Sequence, residues 1–151
     1  MHSHPLIAAQ AWTMAGTASF TVLVVDDDQD FRDLARAILE PAGFRVVEAE
    51  GVSQGLSQLQ SHAVDAIVLD IVMPGRDGFE AVRDIKRMSP RTKVITVSGA
   101  QDSEEYLAIS AYLGADASLG KNKIASLCAL LNVVLDVRPV LEARPNLEAK
   151  S

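Results

Sequence analysis

The sequence predicts an α/β domain built on a doubly wound, five-stranded parallel sheet with helices on both faces. Three observations carry this. Short continuous apolar runs recur, the first being Thr21-Val22-Leu23-Val24-Val25, and such runs mark strands buried on both faces. Longer segments between them place apolar residues at three- and four-residue spacings, the period of amphipathic helices. The two kinds alternate in five βα units between Phe20 and Val137, with no repeat, low-complexity tract or linker dividing them.

The elements follow in order. After the Thr21–Val25 strand, Phe31, Leu34, Ala35, Ile38 and Leu39 define a helix from about Asp30 to Ala42, which Pro41 and Gly43 bring to an end. Phe44 to Glu48 reads as the second strand. Ser53 to Ser61, with Leu56 and Leu59 inward, reads as the second helix. Asp65 to Asp70 contains Ala66-Ile67-Val68-Leu69, a third buried strand. A turn at Pro74-Gly75 precedes a third helix carrying Phe79, Val82 and Ile85, with Asp77 as its cap and Pro90 beyond its end. Lys93 to Val97 is the fourth strand. Asp102 or Ser103 caps a fourth helix through about Leu113, and Gly114 stops it. A weak fifth strand at Ala117 to Gly120 leads to a last helix, about Lys123 to Leu135.

The 151 residues suit one domain, residues 20–137, with an N-terminal extension (1–19) and a C-terminal tail (138–151). The extension reads as frayed or as a short helix laying Leu6, Ile7 and Trp12 on the domain, and the tail is too short for an output domain. The stretch from Leu6 to Ala18 is too short to span a membrane, and the absence of Lys and Arg from the first nineteen residues argues against a secretory signal. A single cysteine, Cys128, offers no disulfide and no zinc spacing, which suits a reducing, cytoplasmic setting. Residues 20–137 carry 11 basic and 18 acidic side chains, a net of −7, so a basic nucleic-acid footprint and an anionic membrane surface are both poor partners.

Five acids, Asp26, Asp27, Asp28, Asp30 and Asp33, crowd into eight residues after the first strand. Ligands of open doubly wound sheets bind beyond the carboxyl ends of the strands. Asp26 and Asp27 end the first strand, Asp70 the third, Ser98 the fourth and Lys121 the fifth. With strand order 2-1-3-4-5 the first and third strands are neighbours, so three carboxylates converge within about one strand spacing of ~4.8 Å, which calls for a cation. Hard oxygen ligands suit Mg²⁺, while the Ser98 hydroxyl and the Lys121 ammonium suit phosphoryl oxygens.

Val24-Val25-Asp26-Asp27-Asp28, Leu69-Asp70-Ile71-Val72-Met73-Pro74-Gly75-Arg76-Asp77-Gly78, Val97-Ser98-Gly99-Ala100 and Gly114-Ala115-Asp116 through Lys121 together resemble the receiver domain of two-component response regulators, a flavodoxin-like fold. The resemblance implies that Asp70 is the phospho-acceptor, taking its phosphoryl group from a histidine kinase or a histidine phosphotransfer protein. It implies Mg²⁺ held by Asp26, Asp27, Asp70 and the backbone carbonyl of Val72, with Lys121 and Ser98 stabilising the transferred group. The product is a switch that alters contacts with a downstream protein target; a homodimer stays open.

Plainer readings exist for each residue. Asp26-Asp27 at a strand end is often a helix cap, with Asp28 or Asp30 capping the first helix; Lys121 could be a surface charge and Ser98 a turn residue. Asp26-x-Asp28-x-Asp30 opens like a calcium loop, but Phe31 stands where that loop needs glycine. Three positions depart from the receiver pattern. Asn122 follows Lys121 where receivers usually have Pro with a cis bond, and a trans bond is expected because a non-proline cis bond costs about 2.5–4 kcal/mol. Ser118 stands where receivers carry Tyr or Phe, so the usual aromatic coupling is missing, and Lys123 replaces a common apolar aromatic. Asn122 and Ser118 favour the alternative, a receiver-like interaction module that is not phosphorylated, whereas the intact Asp26, Asp27, Asp70, Ser98 and Lys121 set favours the phospho-accepting receiver.

Overall fold

The computed structural model describes residues 20–73, 78–99 and 103–137. The N-terminal extension, the C-terminal tail, the Pro74-Gly75 turn and the Asp77 and Asp102 caps lie outside the described residues. The elements are β1 (Thr21–Val25), α1 (Gln29–Leu39), β2 (Arg45–Ala49), α2 (Val52–Ser61), β3 (Ala66–Asp70), α3 (Gly78–Met88), β4 (Lys93–Ser98), α4 (Ser103–Tyr112), β5 (Ala117–Gly120), a 3-10 segment (Lys121–Ser126) and α5 (Leu127–Val134). The five strands are parallel in the order β2-β1-β3-β4-β5, as expected.

Side chains alternate across a strand, so a sheet covered on both faces needs two cores and apolar residues in succession. In β1, Val22 and Val24 face one core, with Phe31, Ala35 and Leu39 of α1 and Leu127 and Leu131 of α5. Leu23 and Val25 face the other, with Leu59 of α2 and Ala81, Val82 and Ile85 of α3. All five residues of β1 and of β3 are buried, which explains their unbroken apolar runs. The edge strand β2 is only partly covered.

Several boundaries differ from the sequence reading. Asp28 caps α1, its Oδ1 accepting the Asp30 N–H at 2.9 Å. That helix ends at Leu39 rather than Ala42, because the Leu39 carbonyl accepts from Ala42 and Phe44 as the chain turns. Phe44 is thereby part of the turn, its ring buried in the core, and β2 begins one residue later. The last helix does not start at Lys123: a 3-10 segment follows β5, with Lys123 at φ −115°, ψ 28°, and α-helix begins at Leu127. The Lys121-Asn122 bond is trans, as expected.

Two glycines meet specific demands. Gly114, at φ +120°, turns the chain after α4 in a conformation that L side chains rarely adopt. At Gly78, a Cβ would lie 2.6 Å from both Cα and O of Ile71, so only glycine lets the start of α3 approach the chain leaving β3 this closely.

Candidate functional site

The carboxyl ends of β1, β3 and β5 bring Asp26, Asp27, Asp70 and Lys121 together. One carboxylate oxygen from each of the three acids lies within 4.8 Å of the others. Asp26 is fully buried and Asp70 is 3% exposed, whereas Asp27 faces solvent. Burying carboxylates this close is costly unless positive charge faces them. Lys121 provides it: its Nζ lies 2.7 Å from Asp26 Oδ2 and 3.2 Å from Asp70 Oδ2. The same Nζ stands 4.5 Å from the centroid of the buried Phe31 ring, a cation-π contact that fixes the ammonium from below.

Each carboxylate is oriented from its own loop. Asp70 Oδ1 accepts the Val72 N–H at 2.9 Å, and Asp26 Oδ1 accepts the Asp28 N–H at 2.9 Å. Asp26 Oδ2 is buried, and its partner among the described residues is the Lys121 ammonium at 2.7 Å. A buried carboxylate beside two further carboxylates suits a hard divalent cation, which would supply the missing charge. One ammonium against three carboxylates leaves room for such a cation.

Burial is the main cause that raises the Asp70 carboxyl from its ordinary 3.8 to about 6. The Val72 N–H opposes this, Asp26 adds to it, and Lys121 counters both. Burial would lower the Lys121 ammonium, but Asp26 and Asp70 outweigh it and hold the group above its ordinary value. Asp70 is therefore ionised and Lys121 protonated at neutral pH.

Ser98 closes β4, buried and in register with Gly120 immediately before Lys121. Val72 follows Asp70 by two residues and is half exposed beside the cluster. His62 and Cys128 lie apart: the imidazole meets the Gln58 carbonyl in α2, and the Cys128 thiol, pushed up by burial, points at the Ile38 carbonyl.

Ser118, which stands where receivers carry Tyr or Phe, joins a cluster of hydroxyls. Its hydroxyl lies 3.0 Å from Thr96 Oγ1, which lies 2.7 Å from Ser110 Oγ, and Ser110 donates to the Leu107 carbonyl at 2.8 Å. Three small hydroxyls thus tie β4 and β5 to α4. On that helix Ile109 and Tyr112 are exposed, Tyr112 at 89%.

Two residues touch the site that the sequence reading did not single out. Phe31, expected in the amphipathic stripe of the first helix, also lies under the Lys121 ammonium. Arg32, with its side chain 6% exposed, donates from Nη1 to the Asp26 carbonyl at 2.7 Å and from Nε to Glu48 Oε1 at 3.0 Å. Burial would raise the Glu48 carboxyl, but Arg36 and Arg32 together hold it below its ordinary range.

A doubly wound α/β domain with an acidic, lysine-braced pocket at its strand ends is the class that fold and site define. Comparison with known proteins narrows it. Residues 22–132 match the response regulator receiver domain, and the chain belongs to that family. It is 36% identical over 115 residues to the KDP operon transcriptional regulatory protein KdpE of Escherichia coli, covering 76% of this chain and 50% of that protein. It is 36% identical over 78 residues to the chemotaxis protein CheY of Bacillus subtilis, covering 51% of this chain and 65% of that one. Among solved structures, the receiver domain of NtrX from Brucella abortus superposes with a TM-score of 0.72 at 28% identity, over 78% of this chain and 99% of that one. The chain spans about half the length of KdpE and less of several other curated relatives.

Proposed function

We propose that residues 20–137 form a phospho-accepting receiver in which Asp70 takes a phosphoryl group from a histidine kinase or histidine phosphotransfer protein and so switches a protein contact. The observation that carries this reading is the Asp26, Asp27, Asp70 and Lys121 constellation at the sheet's carboxyl end, the Lys121 ammonium lying 2.7 Å from Asp26 and 3.2 Å from Asp70. A carboxylate oxygen of Asp70 attacks the phosphorus of the donor phosphohistidine. The phosphorus-oxygen bond of an acyl phosphate forms, the phosphorus-nitrogen bond breaks, and the imidazole leaves with the bonding pair and is protonated. Asp70 is suited to the role because it is ionised at neutral pH and its orientation is held by the Val72 N–H. Lys121 balances charge gathering on the phosphoryl oxygens, and the Ser98 hydroxyl at the end of β4 donates to one of them.

Mg²⁺ would be held by Asp26, Asp27, Asp70 and the Val72 carbonyl, and when bound it supplies Lewis-acid stabilisation of the transferring group. The working compartment in this reading is the cytoplasm; no helix among the described residues is long and apolar enough to cross a membrane.

The test is the intact mass of the protein after incubation with Mg²⁺ and phosphoramidate, for wild type and Asp70→Asn. One phosphoryl group on the wild type alone, abolished by chelator, is the expected result. An unmodified wild type under both a small donor and a phosphorylated kinase domain would favour the alternative, a binding module that works without phosphorylation, to which the Ser118 hydroxyl cluster lends support.

A further inference from the structure

Asp26 has a partner at every polar atom. Its N–H donates to the Ala49 carbonyl at 3.1 Å, its Oδ1 accepts the Asp28 N–H at 2.9 Å, and its carbonyl accepts Arg32 Nη1 at 2.7 Å. The fourth atom, Oδ2, faces the Lys121 ammonium at 2.7 Å on the side of the other two carboxylates. Of the first three partners, two are backbone groups, and the third is a buried guanidinium, an expensive group to desolvate. Arg32 is itself held: its Nε meets Glu48 Oε1 at 3.0 Å, and the other Glu48 oxygen takes Arg36 Nε at 2.7 Å. The chain of contacts therefore runs from Glu48 on β2, through Arg32 on α1, to the carbonyl of Asp26.

We infer that Arg32 is a positioning residue for the cation-binding carboxylates, an inference that rests on the Mg²⁺ site proposed above. The Asp26 carbonyl belongs to the planar peptide that joins Asp26 to Asp27. Fixing that carbonyl fixes the peptide plane, and with it the directions in which both acids leave the chain. The partners of Arg32 are the Asp26 carbonyl and Glu48, not the carboxylates that would hold the cation. It presents a rigid fork that serves Asp26 and Glu48 at once, which the single ammonium of a lysine cannot reproduce.

Charge alone predicts the opposite effect. A guanidinium beside an acidic pocket repels a cation, so its removal should tighten binding if electrostatics governs. If positioning governs, removal loosens binding. The sign of the change separates the two.

The probe is Mn²⁺, with free ion counted by electron paramagnetic resonance during titration at neutral pH, and folding followed in parallel by urea denaturation. Arg32→Met is expected to weaken Mn²⁺ binding about tenfold, the loss typical of removing a residue that orients a metal ligand. Arg32→Lys, which keeps the charge, should fall between Arg32→Met and wild type. A folded Arg32→Met that binds Mn²⁺ as tightly as wild type, or more tightly, would overturn the inference even if its stability falls. Should Arg32→Met fail to fold, Glu48→Gln decides: it leaves the guanidinium in place but loosens its orienting partner, so weaker Mn²⁺ binding is expected and unchanged binding refutes. Absence of Mn²⁺ binding by the wild type would overturn the cation site and this inference with it, whereas wild-type binding that Arg32→Met leaves unchanged overturns the inference alone.

Discussion

Replacing the proposed phospho-acceptor should stabilise the cation-free protein. Asp70 is 3% exposed, and its carboxyl is raised from 3.8 to about 6, first by burial and then by Asp26. The folded chain therefore holds the Asp70 proton more tightly than the unfolded chain. The stability this contributes is fully present below the unfolded value and is lost as pH rises to about 6. At 1.36 kcal/mol per unit the rise corresponds to a ceiling of about 3 kcal/mol. The pocket opens to solvent beside the exposed Asp27, and screening reduces the figure to about 1–2 kcal/mol. Asp70→Asn removes the charge, keeps an oxygen for the Val72 N–H, and gives up the Lys121 ion pair at 3.2 Å. Urea denaturation in chelator at pH 7.5 should show Asp70→Asn more stable than wild type by about 1–2 kcal/mol. Wild type should gain stability between pH 7 and pH 5 relative to the variant. Added Mg²⁺ should narrow the gap by stabilising wild type through binding. A variant less stable than wild type in chelator, or parallel pH profiles, would refute the charge-burial argument.

Other outcomes follow from particular contacts. Lys121→Met should slow phosphoryl transfer by about 100-fold or more, since an ammonium aimed at the reacting carboxylate is lost; rapid-quench measurement of phosphoryl incorporation on protein kept folded by Mg²⁺ reads this. Gly78→Ala should cost roughly 1–3 kcal/mol, because its Cβ would lie 2.6 Å from the Ile71 backbone, a conflict that the helix-propensity gain of under about 1 kcal/mol does not offset; the urea midpoint measures it. Thr96→Val keeps the volume but removes the hydroxyl that joins Ser110 and Ser118, and should lower stability by about 1–2 kcal/mol in the same assay.

What the sequence disclosed depended on how local the signal was. Strand β1 falls where its residues placed it, because a β-branched run between turn residues leaves few alternatives, and the weaker β5, Ala-Ser-Leu-Gly, falls at Ala117–Gly120 as expected. Asp26, Asp27, Asp70 and Lys121 were legible as a cluster because strand ends in this fold converge on one edge, so position along the chain translates into position in space. The start of the last helix was not, since Lys123-Ile124-Ala125-Ser126 has an ordinary helical composition, yet the segment leaving β5 is 3-10 with a kink at Lys123. Phe31 and Arg32 escaped notice for a related reason. Each occupies a position of α1 that periodicity assigns to packing or solvent, and each acquires its role from residues outside that helix, Phe31 from Lys121 and Arg32 from Asp26 and Glu48. Ser118 read as a loss, because the hydroxyls of Thr96 and Ser110 that receive it come from β4 and α4.

The central claim is that the phosphoryl group resides on Asp70. The most direct measurement treats the protein, after Mg²⁺ and a phosphohistidine donor, with borohydride, which reduces an aspartyl phosphate to homoserine, and maps the product by peptide mass spectrometry. Homoserine at position 70 alone, absent when the donor or Mg²⁺ is withheld, is the predicted result. Homoserine at position 26 or 27, or a phosphoryl group on a residue that borohydride leaves untouched, would contradict it.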